Sequence, residues 1–135
     1  MTVTIDVSVF VNAFSPTELG SDKSLKFISH LKEQSIPIIL PVLVLPEIVS
    51  ALTRKQGNSE AALLLAKEIK SLPNITFINV DESIADLAVE IAANNRLRAN
   101  DAVYAAVALR FGTELITLDR EQLDRLPKVL AVREP

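Results

Sequence analysis

The chain has 135 residues, a net charge of −3, no cysteine and a single histidine. Disulfides, thiolate zinc sites, cysteine nucleophiles and multi-histidine metal sites are thereby excluded, and any metal chemistry falls to carboxylates and hard cations such as Mg²⁺ or Mn²⁺. The acidic balance argues against a protein that coats nucleic acid through bulk positive charge, but a basic rim around an acidic site stays open. Apolar residues make up 49% of the chain and aromatics only 4%, so an aliphatic core is expected, in one domain spanning residues 1–135. No apolar run reaches the roughly 18 residues a membrane helix needs, and no basic stretch precedes the first run. A soluble cytoplasmic protein with no membrane association is the expectation.

The chain opens on T-V-T-I-D-V-S-V-F-V-N-A-F, an apolar and β-branched stretch with Asp6 inside it. Such a run reads as a strand buried on both faces. A lone carboxylate within it costs several kcal/mol unless it faces a cleft or meets a cation. Ser8 to Phe14 is expected to turn into a short helix, stacking Ser8 and Asn12 on one face. After a loop marked by Ser15, Pro16 and Gly20, the spacing of Leu25, Ile28 and Leu31 predicts a helix over 22–34, with His30 at its surface. Ile36 to Pro41 reads as a buried strand. Pro46 is expected at the first position of a helix that ends at Gln56 before Gly57. Another helix runs from Ser59 toward Leu72.

Ile75 to Val80 is a third strand candidate. Asp81 or Ser83 caps a helix over 84–94. Asn100 is expected to cap the next, over 101–111, with Gly112 as its stop. Leu115 to Leu118 reads as a fourth strand, Asp119 to Leu123 as a helical turn with Asp119 and Gln122 fitting a capping box, and Val129 to Val132 as a last strand. Short apolar strands alternating with helices predict an α/β fold: a three-layer α/β/α domain with a four- to five-stranded parallel sheet.

Ligands in such sheets bind beyond the carboxyl ends of the strands. Four acids are expected there: Asp6, Glu47, Asp101 and Asp119. Each has an ordinary explanation as a helix cap or first-turn acid. Together they are harder to dismiss, because their flanks are the most apolar segments of the chain. Converging carboxylates repel one another in a low-dielectric cleft unless a divalent cation neutralises them. That is the coordination chemistry of Mg²⁺, and Mg²⁺ in such a site points to phosphate.

The motifs I-D-V-S-V-F-V-N-A, L-P-E-I-V-S-A-L, L-R-A-N-D-A-V-Y-A-A-V-A and L-I-T-L-D, in this order over the whole chain, resemble the PIN-domain family, and within it the VapC-type toxins of toxin–antitoxin pairs. The resemblance implies a Mg²⁺- or Mn²⁺-dependent endoribonuclease, with Asp6, Glu47, Asp101 and Asp119 as catalytic and metal-holding acids. It implies supporting roles for Ser8 and Thr117, and Asn12, one helical turn beyond Ser8, is a further candidate. It also implies a small antitoxin partner and a homodimer. RNA phosphates need cations, and among Arg54, Lys55, Arg96, Arg98 and Arg120 the preferred contact is Arg98, just before the Asp101 helix. Tyr104, flanked by alanines, is expected in the core, and no aromatic platform for stacking bases is visible. The alternative is a catalytically inactive PIN-like module that binds RNA or a protein partner. Two other α/β readings fail on residues: a phosphoaspartate phosphatase wants an acid where Ser8 stands, and a receiver domain wants an acid pair beside the first strand.

Overall fold

In a computed structural model describing residues 1–135, strands and helices alternate as β1 (Val3–Ile5), α1 (Val7–Ala13), α2 (Ser21–Glu33), β2 (Ile38–Pro41), α3 (Val44–Gln56), α4 (Ser59–Lys70), β3 (Ile75–Ile78), α5 (Glu82–Asn95), α6 (Ala99–Phe111), β4 (Glu114–Ile116), α7 (Arg120–Arg125) and β5 (Val132–Arg133). The strands form one five-stranded sheet in the order β3-β2-β1-β4-β5, and every pairing is parallel. Helices flank it. The α/β expectation holds, with the sheet at the upper end of the expected size.

Strand β1 lies in the middle, which is why Val3, Thr4 and Ile5 are all fully buried. Its one internal polar group is satisfied sideways: Thr4 Oγ1 and Thr113 Oγ1 lie 2.7 Å apart. The chain moves from β1 outward to β2 and β3, then crosses back to β4 on the other side of β1. The gap between β1 and β4 is therefore the topological switch point, where parallel sheets open a crevice at their carboxyl ends. Register decides what faces that crevice. Ile5 pairs with Ile116, so the next residues, Asp6 and Thr117, leave the sheet side by side.

Helix α6 packs against β1, β2 and β4. Besides Tyr104 it buries Ala102, Ala105, Ala106, Val107 and Ala108, small residues that let its backbone approach the strands closely. Larger side chains there would overpack the interface at roughly 1–3 kcal/mol each. The pairs α1–α2, α3–α4 and α5–α6 lie against one another, and 27 buried apolar residues form one continuous core.

Several boundaries differ from expectation. Helix α3 starts at Val44, so Pro46 is its third residue; its missing N–H is harmless there because first-turn donors lack intrahelical partners anyway. Helix α6 starts at Ala99 after Arg98, so Asn100 lies inside the first turn and does not cap it. Strand β4 ends at Ile116, and β5 is Val132–Arg133 instead of 129–132. Asp81, and not Ser83, caps α5 through Ile84 N–H at 2.9 Å. Gly112 closes α6 at φ 65°, as expected of a residue without a Cβ.

Candidate active site

Asp6 ends β1 and begins α1. Its extended backbone makes it the N-cap, and Oδ2 accepts the Ser8 N–H at 3.1 Å. The same oxygen accepts a hydrogen bond from Thr117 Oγ1 at 3.3 Å. Thr117 Oγ1 also accepts the Asp119 N–H at 3.0 Å, and Ser8 Oγ accepts the Leu118 N–H at 3.0 Å. Ser8 and Thr117 thus stitch the exit of β4 to the start of α1. Asp6 is only 2% exposed, and its Oδ1 has no partner. Burial pushes its carboxyl pKa up, the Ser8 hydrogen bonds oppose this, and the charge of Glu47 adds to it.

Asp119 caps α7, its Oδ1 accepting the Gln122 N–H at 3.0 Å. The side chain of Gln122 does not return to close the expected capping box. It is fully buried, and its Nε2 donates to Asp101 Oδ1 at 2.9 Å. Asp101, in the first turn of α6, is 4% exposed. Burial raises its pKa, and the charges of Asp119 and Asp6 raise it further, while Arg98 pulls it down. Arg98 bridges two acids, donating from Nε to Asp101 Oδ2 at 3.2 Å and from Nη2 to Asp119 Oδ2 at 3.0 Å. Its side chain is nevertheless 68% exposed.

Glu47, in the first turn of α3, accepts Tyr104 Oη at 2.7 Å on Oε1 and Asn100 Nδ2 at 2.9 Å on Oε2. Burial and the Glu47 charge push the Tyr104 phenol far above its usual range, so it stays protonated and donates. Tyr104 is thus a core residue, as expected, whose hydroxyl also positions an acid. The four acids lie close enough for Glu47 to bear on Asp6, and for Asp6 and Asp119 to bear on Asp101.

Residues 3–129 match the PIN domain family. The chain belongs to that family. No curated protein matches it by sequence. Solved structures match it closely in shape. The Mycobacterium tuberculosis toxin VapC20, described as cleaving the sarcin–ricin loop, superposes with a TM-score of 0.76 at 17% identity, covering 98% of this chain and 99% of that one. VapBC2 of Rickettsia felis, bound to a DNA fragment from its promoter, gives 0.73 at 17% identity over 100% and 99%. FitAcB of Neisseria gonorrhoeae gives 0.73 at 17% identity over 98% and 97%. The fold of this PIN domain is that of these toxin–antitoxin structures.

The donor set of this PIN domain fits a hard divalent cation. Every acid is a carboxylate, and buried oxygens without partners remain at Asp6 Oδ1 and Gln122 Oε1. Carboxylate oxygens of Asp101, Asp119 and Glu121 all lie within 4.8 Å of one another. Glu121 was not among the expected acids. Its one signal is its place two residues after Asp119, in the first turn of α7, which any surface helix could show.

Not every candidate faces the acids. Asn12 spends its amide elsewhere, with Nδ2 donating to Leu19 O at 3.0 Å and Glu18 Oε1 at 3.3 Å, and Oδ1 accepting from Ser24 Oγ at 2.7 Å. It fastens the 15–20 loop to α2. Lys55 pairs with Glu18, and Arg120 with Glu134 at 3.8 Å. Arg54 stays near Glu47, lining the same cavity between α1 and α3. His30 is exposed.

Proposed function

We propose that this PIN domain is a metal-dependent endoribonuclease that hydrolyses RNA phosphodiester bonds, and that it acts as the toxin of a toxin–antitoxin pair. The observation that carries the reading is the crowding of buried, mutually repelling carboxylates at the switch point between β1 and β4, with acceptor oxygens left unpartnered. The likeness to VapC-type structures supports it.

Asp6, Asp101 and Asp119 would hold Mg²⁺ or Mn²⁺, with Glu121 beside them and Glu47 either a further ligand or the group that orients water. When bound, such a cation promotes the ionisation of water and offsets charge on the phosphate. The remaining work falls to the chain itself. Tyr104 and Asn100 aim both oxygens of Glu47, which can accept the proton of an attacking water. Gln122 fixes the rotamer of Asp101. Ser8 and Thr117 hold Asp6 against the turn that carries Asp119. Arg98, exposed and already beside two acids, is suited to meet a substrate phosphate bidentately.

A small antitoxin is the proposed protein partner, and a homodimer the proposed assembly. Leu63 and Leu64 on α4 and Val89 on α5 are 54%, 61% and 67% exposed, more apolar surface than one sheet face needs covered. No helix is long and apolar enough to cross a membrane; the proposed site of action is the cytoplasm. One observation favours the inactive-module alternative: Arg98 already supplies a cation to Asp101 and Asp119. RNA cleavage with Mg²⁺, with chelator, and with Asp101→Asn separates the two. The nuclease reading expects cleavage that chelator abolishes and that Asp101→Asn lowers by at least about 100-fold, beyond the cost of losing a mere neighbour of a ligand. Cleavage indifferent to Asp101→Asn would overturn it.

A further inference from the structure

Outside the acids, a group of mainly cationic side chains converges. The turn joining α5 to α6 and the C-terminal end of α7 enclose a cleft of about 440 Å³ with no hydrophobic residue in its lining. Arg96, Arg125 and Lys128 surround it against one carboxylate, Asp124. This is a cationic surplus in a chain whose net charge is −3.

The cleft is held in shape. Arg96 ends α5 with φ 55°, in the left-handed region that non-glycine residues rarely adopt. Its carbonyl accepts Arg125 Nη1 at 2.6 Å, fastening the turn to α7. Asn95, 7% exposed, donates Nδ2 to Ile91 O at 3.0 Å within the last turn of α5, which leads into it. Arg125 reaches Glu121 at 3.5 Å, whereas Arg96 and Lys128 form no ion pair. Two cations are therefore free for a ligand.

Its position relative to the acids sets the ligand class. Only Leu97 separates Arg96 from Arg98, which touches both Asp101 and Asp119. Helix α7 has Asp119 as its cap and Arg125 as its last residue, so its backbone rises roughly 9 Å between the acid at one end and the cleft at the other. A single nucleic-acid strand spans that distance within a few nucleotides. A cationic groove without aromatic or apolar lining suits the sugar–phosphate backbone and carries no base readout.

We propose that this cleft is a phosphate subsite for single-stranded RNA. In it Arg96 and Lys128 hold a backbone phosphate beside the one presented to the acids, and Arg125 braces the floor. The proposal rests on the nuclease reading for the identity of the polyanion.

The test is fluorescence anisotropy of a short labelled single-stranded RNA titrated with the full chain, in chelator, over a salt series. Arg96→Glu combined with Lys128→Glu is expected to lower affinity more than about 10-fold near 0.1 M salt. It is also expected to flatten the slope of log K against log salt by about 1.4, or ~0.7 for each lost contact. Lys23→Glu with Lys26→Glu, an equal charge change on exposed α2, is expected to stay within about twofold of the parent. A cleft variant that binds like the parent, or a control pair that loses as much, overturns the subsite. Metal-dependent cutting measured alongside keeps the two readings apart. A parent chain that cuts RNA while the cleft pair changes nothing overturns the subsite alone. One that binds through the cleft but never cuts upholds the subsite and removes the nuclease. One that neither binds nor cuts overturns both.

Discussion

Two buried polar clusters flank helix α1, and they differ in one respect. At its C-terminal end, Asn12 joins Ser24, Leu19 and Glu18, while Ser21 and Ser15 donate to the carbonyls of Ala13 and Val11 at 3.2 and 2.6 Å. This cluster is neutral but for Glu18, which Lys55 answers, and the Asn12 amide is fully used. At the N-terminal end, Asp6 shares its surroundings with Glu47 and Asp101, Arg98 is the cation on two of the acids, and Asp6 Oδ1 and Gln122 Oε1 are left over. A closed polar network holds a loop in place; an open, like-charged one opposes folding unless a cation neutralises it. Burial alone does not separate the two, whereas hydrogen-bond satisfaction does.

The sharpest way to break this contrast is to supply a cation. Mn²⁺ at about 100 times its Kd adds roughly 2.7 kcal/mol to a chain that binds it only when folded. For a domain of this size that is a Tm rise of roughly 10 °C. Asp101→Asn is expected to lose most of that rise in a thermal melt, and an equal response would show that the open cluster is not the metal's site.

Asn12→Ala is expected to act the other way. It strands the Ser24 hydroxyl and the Leu19 carbonyl at a cost of about 1–3 kcal/mol, lowering Tm by several degrees while leaving the Mn²⁺ response intact. Loss of that response would join the two clusters into one.

The smallest effect is the pH dependence of the metal-free chain. Asp6 and Asp101 have raised carboxyl pKa values, first through burial and then through neighbouring acids. From about pH 4, where the unfolded groups lose their protons, up to the raised values, the folded chain holds protons the unfolded chain has lost. These two groups therefore make stability fall as pH rises through that window. A Tm profile over mildly acidic to neutral pH should be flatter for Asp101→Asn, while identical profiles would remove the repulsion from the account.

The acids most legible in the sequence were those in the most apolar surroundings. T-V-T-I before Asp6 and L-I-T-L before Asp119 announce strands, and a carboxylate just past a buried strand has few places to go. The parallel sheet was legible for the same reason. Glu121 was not, because a first-turn acid on a six-residue helix resembles any other. The capping-box reading of Gln122 failed because local pattern sees only the helix's own first turn, whereas tertiary packing buries the side chain completely and turns it toward Asp101. Asn12 does follow Ser8 by one turn, but the 15–20 loop folds over that end of α1 and captures its amide. Spacing along a helix could not reveal that loop's path.

The capping bonds at Asp6 and Asp119 have a consequence for binding. Each carboxylate divides its labour: one oxygen is fastened to a backbone N–H of the following helix, Ser8 for Asp6 and Gln122 for Asp119. The other is left unpartnered at Asp6, or held only by an exposed guanidinium at Asp119. Rotamer freedom that a surface aspartate would surrender on meeting a ligand has here been surrendered on folding. A ligand bound there as proposed would meet oxygens that cannot swing away, and its affinity would be tied to the integrity of two short helices, α1 and α7.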